Sequence, residues 1–389
     1  MGVTLATMRR LLIVLVACLA FAPAPARAAS LTWEQWKAIP GALDVDGPRS
    51  DGSLIVAGSA ALYLVDPAGN VTPFARGPGG YHEDPGLEAY LAVSNGGHVS
   101  AANCDFVRDE TYVLRMHFPI GVNRVSASGD DSGSFANLPG VTMLTGITFD
   151  TVGAFDHRLL VMGVTGSKGV IFAVDCNGAV QVITRAAPAL EGGLSVAPNG
   201  FGTFGGDLIV PDEITGSVNA IAPDGRTTVV MKHALPAGLG VTLGSVGFVP
   251  PGFMSRGGAV YHADHKTPRS SFPGTDTVLR LTSAQLGAAG VQDGDLLAAT
   301  ESGAGLIALH CMAACTVIRM IGPAHAHHGE GHIAFTVMPA LASPAPAPRL
   351  TTPEPDNAAL MSPLSIGIAA GAVVLLVAGA LIARRRRRR

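Results

Sequence analysis

Residues 147–183 read "ITFDTVGAFDHRLLVMGVTGSKGVIFAVDCNGAVQVI". Three short β-branched or aliphatic runs are separated by Gly-containing polar loops, and a fourth run follows the Asn-Gly turn. Runs of this length with such punctuation are strands joined by tight turns, not helices. The same order recurs in "LSVAPNGFGTFGGDLIVPDEITGSVNAIAPDGRTTVV" (194–230) and in "VGFVPPGFMSRGGAVYHADHKTPRSSFPGTDTVLRL" (246–281). Fainter copies begin at "SLIVAGS" (from 53), "HVSAANCDF" (from 98) and "DLLAATESG" (from 295). Helical periodicity is confined to a possible opening turn in "LTWEQWKAI" and to "SAQLGAAG".

Four-stranded units repeating about every 45 to 55 residues point to an all-β fold, a β-propeller whose radial closure hides its sheet edges. Six blades account for residues 29–340, with two irregular units between 243 and 330. A two-domain β-sandwich is the alternative architecture. The first unit lacks an obvious innermost strand, whereas "GHIAFTVMP" is a strand with no unit after it, so the C-terminal strand is expected to complete the first blade. Its Ile333, Phe335 and Val337 alternate as a half-buried strand requires.

The ends of the chain carry a different message. Arg9 and Arg10, the apolar run "LLIVLVACLAFA" and "ARA" read as a secretory signal, residues 1–28, cleaved after Ala28. Residues 341–363 form a Pro-rich spacer. Residues 364–383, "LSIGIAAGAVVLLVAGALIA", are uncharged and long enough to span a bilayer as a transmembrane helix, and Arg384–Arg389 would hold its far end in the cytoplasm. The expectation is a single-pass cell-membrane protein with its N-terminal domain extracytoplasmic. Of 26 Lys and Arg, nine lie in those two ends, leaving 17 against 29 acids and a net charge of −12 for the exported part, spacer included. That balance excludes a nucleic-acid partner, which needs a basic footprint. The four cysteines outside the signal, Cys104, Cys176, Cys311 and Cys315, permit two disulfides in an oxidising compartment, with three connectivities open.

Aligning the starts of the innermost strands puts Glu88, Glu191 and Glu330 at one position, three residues before an aliphatic, where two other units have Leu144 and Leu243. Carboxylates from several blades at the head of the channel would repel one another unless protons or a cation neutralise them. Hard oxygen donors favour Ca²⁺ or another divalent cation. Up-and-down topology puts the loops after second strands on the same face: Asp212 and Glu213, Asp264 with His262 and His265, and Glu301. His325, His327 and His328 join them there. His262 or His265 is the candidate general base if the site is catalytic. No nucleophile elbow, phosphate loop or dinucleotide fingerprint is present.

The repeat pattern resembles the six-bladed NHL, regucalcin/gluconolactonase and strictosidine-synthase-like propellers over nearly the whole exported region. In the regucalcin type, a glutamate from an "EG" strand start sits in a central metal site, and Glu330-Gly331 and Glu191-Gly192 match it. The aromatic that follows in that family is missing here, and its Asn and Asp ligands have no counterpart. "PEP" at 353–355, followed by the apolar span and arginine cluster, resembles PEP-CTERM sorting tails. The expected function is a membrane-anchored binding or display module for a small-molecule, glycan or protein ligand. The alternative is a metal-assisted hydrolase or lactonase.

Overall fold

The computed structural model describes residues 31–78, 80–81, 88–232, 234 and 242–339. The expected signal, the Pro-rich stretch, the apolar span and the arginine cluster lie outside these residues. Among the described residues no helix is long and apolar enough to cross a membrane.

Six four-stranded antiparallel sheets and one two-stranded hairpin make up the described strands. From the channel outward, blade 1 runs Asp44–Asp46, Leu54–Gly58, Ala61–Val65, Val71–Phe74; blade 2 runs Leu91–Val93, Thr111–Arg115, Gly121–Val125, Ser132–Asn137. Blade 3 runs Met143–Phe149, Leu159–Thr165, Lys168–Val174, Val180–Pro188; blade 4 runs Ser195–Val196, Leu208–Pro211, Val218–Ile221, Thr227–Met231. Blade 5 runs Leu243–Phe248, Leu296–Thr300, Leu306–Cys311, Cys315–Ile321, and blade 6 runs Gly329–Val337, Gly258–Asp264, Thr277–Thr282, Glu34–Ala38. Each inner strand contacts the next and the sixth contacts the first, so the ring closes. The fold is a six-bladed β-propeller.

Alternating side chains explain the stack. In blade 3, Leu159, Val161, Val170, Phe172 and Val174 pack into the core shared with blade 2, while Leu160, Met162, Ile171 and Ala173 pack into the core shared with blade 4. A middle strand buried on both faces must be apolar at every position, which is why "LLVMGV" and "VIFAV" are unbroken runs. Six apolar cores of this kind lie between successive blades among the described residues. A large ring is therefore held by many modest interfaces instead of one central core.

Three expectations about the closure are corrected. Blade 1 has its own inner strand, Asp44–Asp46, and the C-terminal strand instead lines blade 6, paired with Gly258–Asp264. "LTWEQWKAI" contributes a strand, Glu34–Ala38, paired to Thr277–Thr282, so both ends of the described chain still meet in one sheet. A polar sequence is tolerated there because this strand is the exposed outer edge of the blade, and tertiary pairing overrides its helical periodicity. The repeat drawn over 246–281 crosses two blades. After Leu243–Phe248 in blade 5, the chain passes through the short helix Phe253–Arg256 into the two middle strands of blade 6. It then returns through the helix Ser283–Ala288 to finish blade 5. That second helix has a reciprocal cap, Thr282 with Gln285, which explains its legibility in sequence.

Candidate functional site

The six inner strands surround the channel, and two clusters of polar side chains occupy its upper half, where these strands begin. Deeper in, Asp44 of blade 1 is fully buried and accepts hydrogen bonds from Leu91 N of blade 2 at 2.8 Å and from His332 N of blade 6 at 2.6 Å. The His332 ring donates from Nδ1 to Asp44 at 3.0 Å and from Nε2 to Ile147 O of blade 3 at 2.6 Å. Burial opposes the imidazolium charge, but the Asp44 carboxylate outweighs it and carries the His332 pKa up to about 9. One ion pair thus ties four blades together across the channel. Gly331 is required beside it: its φ is +68°, and a Cβ there would stand 2.2 Å from Asp44 Oδ1.

Above this tie lies the acidic mouth. His328, on the loop entering the C-terminal strand, places Nε2 3.3 Å from Glu301 Oε1 and 3.2 Å from Glu330 Oε1. Glu301 follows the second strand of blade 5, and Glu330 opens the inner strand of blade 6. Burial disfavours a charged His328, but hydrogen bonds to both glutamates outweigh it and raise its pKa to about 10. Tyr90 of blade 2 donates its hydroxyl to Glu330 Oε2 at 2.9 Å. Burial, then the negative charges of Glu330, Glu88 and Glu191, push that phenol far above its ordinary range.

Protons gather here because the carboxyls are buried and, secondarily, because they crowd. Glu191 is pushed up to about 7 by burial and by the fields of Glu88, Glu330 and Glu301. Glu330 also rises to about 7, through burial first, with the His328 hydrogen bond pulling the other way. Glu213 rises to about 9, again through burial first and then the charges of Glu301, Glu191, Glu330 and Glu88. The structure therefore brings Glu88, Glu191 and Glu330 into one field and adds Glu213 and Glu301 from the loops after second strands.

The remaining sequence candidates lie elsewhere. Asp264 is fully buried and accepts from His327 Nδ1 at 2.8 Å, from the His328 backbone N–H at 2.7 Å and from the Thr275 hydroxyl. It thereby orients the loop that presents His328. His262 is fully buried beside Trp33, with Nδ1 3.2 Å from His332 O, and burial lowers its pKa to about 4. Its Nε2 is sealed off without a partner among the described residues, so it has no path to a substrate as a base. His265 contacts Ala42 O at 3.1 Å, and His325 stacks on Phe272. Asp212 accepts from Ile214 N, Thr215 N and the Thr215 hydroxyl within its own turn. Sequence reasoning missed Asp44, Asp46 and Tyr90. Tyr90 lies two residues beyond Glu88, a strand period that would have drawn it in, and "DVD" at 44–46 carries the same period-2 signal.

The mouth fits a metal ion in its spacing. Donors bound at ~2.1 Å with tetrahedral angles stand ~3.4 Å apart. The donor atoms of Glu301, His328 and Glu330 approach that spacing and all lie within 4.8 Å of one another. An imidazole with two carboxylates suits a Zn²⁺-like ion better than Ca²⁺, which calls for six or more oxygens. The outer support that ligating imidazoles ordinarily have is missing, since His328 Nδ1 is buried without a partner among the described residues.

Both cysteine pairs are joined. Cys104–Cys176 links the hairpin inserted in blade 2 to blade 3, and Cys311–Cys315 closes the outer hairpin of blade 5.

No family model and no curated protein matches the chain. Among solved structures, a virginiamycin B lyase from Staphylococcus aureus is 11% identical, with 76% of this chain and 92% of that one covered at a TM-score of 0.41. A putative gluconolactonase is 10% identical, covering 78% and 84% at 0.41. A protein of unknown function from Bacteroides thetaiotaomicron is 13% identical, covering 78% and 66% at 0.43. At these values the likeness says nothing about what this chain binds or does.

Proposed function

We propose that the protein is an extracytoplasmic binding module, anchored to the membrane by residues 364–383, whose ligand site is the acidic mouth of the channel with a divalent cation held by Glu301, His328 and Glu330. The observation that carries the reading is that Glu301 and Glu330 meet on the His328 imidazole, with Glu88, Glu191 and Glu213 in the same field of charge. Like charges at such density are costly unless protons or a cation neutralise them. Glu88, Glu191 and Glu213 would remain to meet a basic or hydroxyl-rich ligand at the rim. Export is supported by the pairing of all four cysteines, as befits an oxidising compartment.

Catalysis is a second reading with its own observation. Glu191 and Glu330 hold protons near neutrality beside the same donors, which is the condition for acid or base work at working pH. A bound metal would polarise a substrate carbonyl. In that reading Glu191 is the proton carrier, Tyr90 holds Glu330 in place, and the sealed His262 takes no part.

Metal content decides the matter. The protein, purified without a histidine tag, is expected to carry about one equivalent of a Zn²⁺-like ion by mass spectrometry, lost in a Glu301→Gln/Glu330→Gln variant that keeps its circular dichroism. A metal-free wild type that takes up no added Zn²⁺ or Ca²⁺ overturns the cation site. Lactone or ester hydrolysis that depends on metal and is lost with Glu191→Gln would favour the catalytic reading over capture.

A further inference from the structure

The lower half of the channel contains a cavity of about 290 Å³ that all six inner strands line, through Asp46, Val93, Thr148, Ser195, Phe248 and Phe335. It lies toward the far ends of the strands from the acidic mouth, and His332 borders it. Asn95 and Thr151, both exposed, mark its rim, so the cavity opens to solvent on the face opposite the glutamates.

Charge in this cavity is unbalanced. Asp46 and His332 are the titratable residues that line it. Both ring nitrogens of His332 are committed, one to Asp44 and the other to Ile147 O. Asp46 receives the Val93 backbone N–H at 2.7 Å, and no Lys or Arg lines the space. A lone carboxylate in a concave chamber walled in part by aromatic rings attracts a cation. Burial holds the Asp46 carboxyl above its ordinary range despite the opposing field of His332, as expected of a carboxylate short of compensating charge.

The walls decide which cation. Phe149, Phe248 and Phe335 border the chamber, and aromatic rings attract organic cations. A metal ion would find one carboxylate, with no second imidazole, thiolate or carboxylate free to join it, too few donors for a protein-held site. An anion would find no free cationic donor.

We infer that this cavity is a second ligand site, independent of the acidic mouth, for a small organic cation of the protonated-amine class. Asp46 receives the ammonium group, the three phenylalanines enclose the hydrocarbon part, and Thr148 and Ser195 offer hydroxyls to its remaining protons.

Calorimetry with benzylamine, protonated at neutral pH, and benzyl alcohol as the neutral counterpart tests this on the whole protein. The expected result is saturable 1:1 binding of the amine and none of the alcohol. Asp46→Asn keeps the acceptor for Val93 N but removes the charge, and should weaken the amine by about tenfold or more. Thr148→Leu fills the chamber without touching Asp46 and should block binding even if the Asn variant folds poorly, with circular dichroism checking both. Absence of saturation up to about 10 mM amine overturns the proposal. So does binding that survives both variants but is abolished by Glu330→Gln, since the amine would then sit in the acidic mouth.

Discussion

Raising the pH should weaken this protein when metal is absent, the reverse of ordinary acid denaturation. Three carboxyls of the mouth keep protons in the fold that the unfolded chain gives up near its ordinary carboxyl range: Glu191 and Glu330 to about 7, and Glu213 to about 9. A group whose folded pKa is raised contributes stability that is lost as pH climbs from the unfolded to the folded value. His332 and His328, raised to about 9 and about 10, act in the same direction above their ordinary 6.5. His262 opposes them below 6.5: held neutral down to about 4, it lets the unfolded chain bind the extra proton, so its contribution grows as pH rises to 6.5. Each proton retained by the fold costs ~1.4 kcal/mol of stability per pH unit. Between pH ~5.5 and ~8, Glu213 alone retains about one proton throughout, a loss of roughly 3 kcal/mol, and Glu191 and Glu330 add to that loss up to pH ~7. Urea unfolding followed by tryptophan fluorescence, in chelator, measures it. Glu213→Gln, which mimics the protonated acid, should shrink the difference by about one proton, up to ~3 kcal/mol over that window. Saturating Zn²⁺ should flatten the pH dependence, because the ion takes over the neutralisation. Stability in chelator that is flat or rises over this window would refute the crowding of the carboxyls on which the candidate site rests.

Other outcomes follow from the ties around the channel. His332→Gln leaves buried Asp44 without its cationic partner and should lower the unfolding free energy by ~3 to 5 kcal/mol; adding Asp44→Asn should recover part of that, and a purely additive double variant argues against the ion pair. Removing the Cys104–Cys176 disulfide, which closes 72 residues, should cost up to about 4 kcal/mol against about 2 for Cys311–Cys315, which closes 4. Equal losses in thermal or urea unfolding would count against a chain-entropy origin.

The propeller was legible because its middle strands are buried on both faces, which forces unbroken apolar runs such as "VIFAV" between glycine turns. The glutamates were legible for a related reason: inner strands begin in register, so Glu88, Glu191 and Glu330 could be aligned without coordinates. The interleaving of blades 5 and 6 was not legible, since Leu243–Phe248 and Gly258–Asp264 have the same local character whether they share a sheet or sit in neighbouring ones. Pairing partners are set by tertiary geometry, and period-2 patterning is blind to it. Asp44 escaped notice because its strand spans only Asp44–Asp46, a single period-2 repeat. The histidines of "HAHHGEGH" looked alike in sequence yet separate in space. His328 faces the glutamates, His327 braces Asp264, His332 crosses the channel and His325 stacks outside.

That division of labour couples the site to ring closure. Gly329–Val337 is the strand that completes blade 6, and within it Glu330 faces the mouth while His332 reaches Asp44 of blade 1 and Ile147 of blade 3. Until this strand docks, Glu191 of blade 4 and Glu301 of blade 5 have neither His328 nor Glu330 before them, and the charge cluster is incomplete. Docking therefore pays the electrostatic cost of the mouth and gains the cross-channel ion pair in the same step. Because blade 6 takes its middle strands from between two halves of blade 5, neither blade can be completed without the other. A cation held by Glu301 and Glu330 would bridge those two interleaved blades, so its binding energy would add directly to closure of the ring.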